Sequence, residues 1–266
     1  MIKAYLRRAW SVGRTYYLIT LMVLLLATVF VTAQFDYIII TVNPGNIHGV
    51  KMPVSEAVAF TRVLMLIILI GIVSMMVSLL SATIVLGTIQ ADIQNGVFEV
   101  LFGNGLSDKE LIKALYIVGL TSFTAFYLLA EAMVIIPLWL TVPNVLSTLL
   151  IAVLLTPPLG VGLFTNGLSV LIGLSKPRYF KISTGIGSTK NLAFTLVSLP
   201  SIIILFSVII PVITITPNAT SYPAMALQLL NFALTVVSIA MALTSIPIAL
   251  RTPVNRVGLI TRGEEP

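Results

Sequence analysis

The sequence contains no cysteine, which excludes disulfides and thiolate metal sites. It has a single histidine, His48, so a histidine-rich metal cluster is excluded and no metal site is expected. There is no HExxH, and no pair of acids lies inside an apolar run, so metal, thiol and aspartyl hydrolysis all lack their parts. No G-x-x-x-x-G-K-[ST] phosphate loop is present, and Gly185-Ile186-Gly187 is not followed by lysine at that spacing. No catalytic residue is assigned, and an enzyme is not expected. Charge is the scarcest property: charged residues make up 9% of the chain, against about 25% in a soluble domain.

What fills the gap is hydrocarbon. Hydrophobic residues make up 58% of 266, and the mean hydropathy is +1.09. A chain of this size has too little interior to hide that surface, so lipid must solvate it. The expectation is an all-α, multi-pass membrane protein built as one transmembrane domain over 1–266.

A helix needs about 20 apolar residues to cross roughly 30 Å of hydrocarbon. Six runs qualify, at about 17–33, 63–89, 115–140, 145–174, 192–213 and 224–250. Lysine and arginine orient them. With the N-terminus inside, Lys3, Arg7, Arg8, Arg14, Lys109, Lys113, Lys176, Arg178, Lys181, Lys190, Arg251, Arg256 and Arg262 are cytoplasmic. Only Lys51 and Arg62 lie outside. This bias supports an even number of spans, both termini cytoplasmic, a tail over 251–266 and a place in the cell (plasma) membrane. It also explains the net charge of +6 without nucleic acid. The sequon Asn218-Ala219-Thr220 falls in an expected outer loop.

The opening "MIKAYLRRAWSVGR" spaces Ile2, Tyr5, Leu6, Ala9 and Trp10 as one helical face, with Lys3, Arg7 and Arg14 on another. This predicts an amphipathic helix over 1–14 at the lipid interface, with Arg7 and Arg8 at anionic headgroups and Trp10 at interface depth. Two other readings compete. The arginines could only orient the first span, or Arg7-Arg8 with Val31-Thr32-Ala33 could be an export signal.

One stretch departs from the oil. Over 91–102, Asp92 and Glu99 are seven apart on one helical face, while Ile93, Val97 and Leu101 follow another. Gly103, Asn104 and Gly105 end that helix. Ser107-Asp108-Lys109-Glu110 then reads as a capping box, Ser107 accepting from the Glu110 amide and Glu110 reaching back. An ordinary hairpin between spans needs only about 2–8 residues.

"DIQNGVFEVLFGNGLSDKE" resembles the cytoplasmic motif after the second span of permease subunits of type-2 ABC exporters. That motif runs acid, any, acid, any, Gly-Thr, apolar, Glu, any, two apolar residues, then Pro, Ser and an acid three residues on. Asp92, Gly96, Glu99, Ser107 and Glu110 match. Gln94 replaces the second acid, Val97 the threonine and Gly105 the proline. The resemblance implies that 91–102 is a coupling helix docking on a separate ABC ATPase, through Asp92, Gln94, Gly96, Glu99 and Phe102. The leading interfacial helix would contact the same ATPase. It further implies two permease subunits, identical or different, with two ATPase subunits that hold the ATP and Mg; this chain would bind no cofactor itself.

Three features remain. Glu131 is the one ionisable residue well inside a run, a pathway or gating contact or a carboxyl bonded within the bundle. Pro157-Pro158 must bend or break the fourth span, as a hinge or a static kink. The stretch 211–223 is too short to span and is either re-entrant or a plain loop. A secondary transporter or channel and a non-transport scaffold are the alternatives to the exporter.

Overall fold

In the computed structural model the described residues are 2–41, 54–141, 148–180, 192–218 and 223–261, and among them the chain is all helical, with no strand. The expected sequon straddles the end of this range, and Lys181, Lys190 and Arg262 lie outside it. Helix α1 runs Ile2–Thr41, α2 Val54–Gln94, α3 Val97–Gly103, α4 Asp108–Thr141, α5 Thr148–Ser175, α6 Leu192–Asn218, α7 Pro223–Leu250 and α8 Arg256–Ile260. A 3-10 turn, Pro177–Phe180, follows α5.

Among the described residues four helices are long and apolar enough to cross a membrane: Ile68–Gln94, Asp108–Ile136, Leu155–Ser175 and Phe232–Leu250. The described apolar stretches of α1 and α6, Tyr17–Leu26 and Leu192–Ser207, are shorter.

The layers follow from burial. The apolar window of α2 is 67% buried and that of α7 only 22%. So α2 is the centre, packed by α1, α4, α5 and α6, while α7 lies outside against α5. Many hydroxyls in the bundle are satisfied on their own helices, as lipid demands. Ser74 donates to the Ile70 carbonyl, Thr88 to Ile84, Ser169 to Thr165 and Ser238 to Leu234.

Direction is read from facing pairs. On α4 and α5, Gly119 meets Asn166 and Phe123 meets Gly162, so the two are antiparallel. On α5 and α7, Gly160 meets the Ser238 backbone and Gly167 that of Ser245, so these are parallel. The glycines and serines are each two turns apart. Small residues let two backbones approach where no hydrophobic gain separates helix from lipid.

Three expectations change. The segment 1–14 is not a separate helix but the start of α1, which is continuous through Thr41; no proline interrupts it. Of the bend or break expected at Pro157-Pro158, the break does not occur, since α5 is helical on both sides of the pair. Both rings are buried within the bundle, where neighbouring helices support the backbone. Finally, 211–218 continues α6 as helix, while 219–222 lies outside the described residues.

Candidate functional site

The interrupting stretch sits where several helix ends converge. The first turns of α1 meet the last turn of α2: Arg8 Nη1 is 2.5 Å from Asp92 Oδ1. The end of α5 meets the tail, as the Asn255 amide donates to the Leu174 carbonyl at 3.0 Å. The start of α4 meets α8 through Arg256 Nε and Asp108 Oδ1 at 2.7 Å. One end of the bundle therefore gathers Lys3, Arg7, Arg8, Lys109, Lys113, Lys176, Arg178, Arg251 and Arg256 together with α3 and α8.

The expected helix over 91–102 is two helices. The α2 helix runs on to Gln94, and Gly96, at φ 66°, turns the chain into α3. Only glycine takes a left-handed backbone at no steric cost. The Gly96 amide donates to the Ile93 carbonyl at 3.3 Å. Because the helix axis changes at Gly96, Asp92 and Glu99 do not share a face.

At its other end α3 closes in a Schellman motif. The Leu106 amide donates to the Leu101 carbonyl at 3.1 Å and the Gly105 amide to Phe102 at 3.0 Å, with Gly105 at φ 79°. This is why the proline of the resembled motif has no place at Gly105. Proline fixes φ near −65° and has no amide to donate. The capping box follows at once. Ser107 Oγ accepts from the Glu110 amide at 3.3 Å, and Glu110 Oε2 accepts from the Ser107 amide at 3.1 Å and its hydroxyl at 2.8 Å.

Between these two glycine turns α3 is held by its aromatics. Phe98 is fully buried and stacks on Phe102, ring centroids 6.1 Å apart. The Arg256 guanidinium lies 4.9 Å from the Phe102 ring centroid. Glu99 and Val100 are exposed on the other side. Gln94, the last residue of α2, is also exposed.

Asp92 does not face water or a partner, as the sequence suggested; it is completely buried. Burial penalises its charge, and the Arg8 guanidinium at contact distance offsets only part of that penalty. Tyr5 is buried beside it, and burial together with the Asp92 carboxylate pushes the Tyr5 hydroxyl above its ordinary range. It therefore remains a protonated phenol. Arg7 is exposed, as is Trp10, whose ring lies 5.5 Å from that of Tyr17.

Two intended pathway features lie away from this end. Glu131 is 5% exposed in α4, and its Oε1 has no hydrogen-bond partner among the described residues. Pro157 and Pro158 lie in α5. Among the described residues no group of three His, Cys, Asp or Glu could hold a metal.

Sequence reasoning missed Arg256, the link between α3, α4 and α8. A signal existed: Asn255 caps α8, its Oδ1 accepting from the Gly258 amide at 2.9 Å, and Asn before a short apolar run is a helix start.

Comparison of the chain with family models, with curated proteins and with solved structures finds no match.

Proposed function

We propose that this chain is the membrane permease subunit of a type-2 ABC exporter, coupling ATP hydrolysis by a separate subunit to movement of a substrate across the cell membrane. In this reading six helices span, both termini are cytoplasmic, and two permease chains assemble with two ATPase chains that carry ATP and Mg. The observation that supports it is α3, a short helix held between two left-handed glycines at the crowded, basic end of the bundle. It is anchored inward by Phe98 and turns Glu99 and Val100 outward. A motor that pushes on a helix needs that helix rigid at both ends and tied to the spans. The capping box and the Arg256 contacts supply the tie on the α4 side, and the α2 helix runs directly into Gly96 on the other.

Purification from the native membrane under mild cross-linking tests the reading. An ATP-binding chain should come with this one; its absence would refute the exporter role. A second reading, a carrier driven by an ion, draws on one observation, the buried carboxyl of Glu131.

A further inference from the structure

Helix α1 is continuous from Ile2, and that continuity decides what its exposed face presents. Lys3, Arg7 and Arg14 are exposed, and so are Leu18, Met22 and Leu25. The steps between them are four, seven, four, four and three residues, which keeps all six on one stripe of the helix. The stripe is cationic through Arg14 and hydrocarbon from Leu18 on. An amphiphile with an anionic head has the same two-part form.

The cations on this stripe are free to meet it. The first acid in the chain is Asp36. Among the described residues the ion pairs join Arg8 to Asp92 and Arg256 to Asp108, so Lys3, Arg7 and Arg14 are unpaired there. Arg8 is turned inward to Asp92, and only its neighbour Arg7 remains on the exposed stripe.

Depth follows from the same helix. Arg14 is the last charge of α1 before the apolar run, and Leu18 lies one turn on, so the hydrocarbon begins between them. Head groups add about 5–7 Å beyond it on each side. Helical side chains lean back toward the helix start, which carries the Arg14 guanidinium into that layer while its stem stays in apolar surroundings. Arg7 is seven residues earlier, about 10 Å further out. Trp10 marks the same boundary. It is 63% exposed, its ring lies 5.5 Å from that of Tyr17, and Arg14 falls between the two in the chain. An indole at head-group depth has its ring in the apolar edge and its N–H available to donate.

We propose that this stripe binds an anionic phospholipid. Arg14 holds the phosphate, the Trp10 indole N–H supplies a second donor, and an acyl chain runs along Leu18, Met22 and Leu25. Arg7 reaches only the outer part of the head group. A guanidinium grips phosphate through two parallel N–H groups, so the contact is to a single head group and not a diffuse attraction. The inference goes beyond the exporter reading and does not rest on it.

The test uses the purified full-length protein in detergent, without any ATPase. It is mixed with equal amounts of phosphatidylglycerol and phosphatidylcholine that share the same acyl chains, and retained lipid is counted by native mass spectrometry. The wild type should retain phosphatidylglycerol in preference. R14Q should lower that retention about fivefold, the effect of one basic residue at an anionic surface, and R7Q clearly less. R14K keeps the charge and should recover most of the loss. K113Q removes an exposed charge at the same end of the bundle, but on α4, and should leave retention unchanged. Glycerol 3-phosphate, a head-group phosphate without chains, should not displace the lipid. The proposal is overturned if the wild type retains both lipids equally, or if R14Q retains as the wild type does. It is also overturned if K113Q falls as far as R14Q, which would make the preference one of net charge, or if glycerol 3-phosphate displaces the lipid. None of these outcomes bears on co-purification with an ATPase.

Discussion

Arg8 and Asp92, 84 positions apart in the chain, form an ion pair in which the aspartate side chain is fully buried and the arginine side chain is 32% exposed. The two ends of the pair are therefore unequal. Removing Arg8 strands a buried charge, whereas removing the charge of Asp92 leaves an arginine that can reach water.

R8A is accordingly expected to cost on the order of 3 kcal/mol, the low end for breaking a buried pair. D92N should cost clearly less. The double variant should recover most of the R8A loss, since no charge is left unpaired. Chemical or thermal unfolding in detergent measures all three, and R8A no worse than D92N would contradict the asymmetry.

Gly105 makes a backbone prediction. G105A must hold a left-handed conformation, at a cost of about 1–2 kcal/mol. G105P, which restores the residue of the resembled motif, also loses the amide bond to Phe102 and should be worse. Hydrogen exchange of the α3 amides reads both locally. Protection unchanged in G105P would mean the Schellman turn does not hold α3.

Glu99 is exposed in the first turn of α3, away from the packed Phe98. Under the proposed function E99K should reduce ATPase association by about tenfold or more, since like charges brought together cost several kcal/mol. Its unfolding midpoint should stay at the wild-type value. Undiminished binding would remove Glu99 from the contact.

The α5–α7 seam has no room for a side chain at Gly160 or Gly167, because a Cβ there meets the backbone of Ser238 or Ser245. G160V should cost about 1–3 kcal/mol, the usual range for overpacking. G103V, at a glycine with open space around it, is the control. Equal losses would show that the seam is not close-packed.

Much of this molecule is legible in composition. The apolar runs at 63–89, 115–140, 145–174 and 224–250 are the helices that the structure also makes long and apolar enough to span, because hydropathy alone decides what lipid can solvate. The capping box at Ser107 and Glu110 was legible for a related reason. Its partners are three residues apart, so local spacing contains the whole geometry.

What failed to be legible is everything that depends on who lies opposite. A seven-residue spacing placed Asp92 and Glu99 on one face only if the helix continued, and the left-handed turn at Gly96 ends it. Arg7 and Arg8 look alike in sequence, yet only Arg8 reaches Asp92. Arg256 looked like one more basic tail residue until Asp108 and Phe102 were brought to it. Sequence determined which segments lipid can solvate, because a residue's transfer energy belongs to that residue. Tertiary structure alone decided which charges are buried, paired or presented, because the energy of a charge is set by its neighbours. In this chain those neighbours come from helix ends more than 80 residues apart.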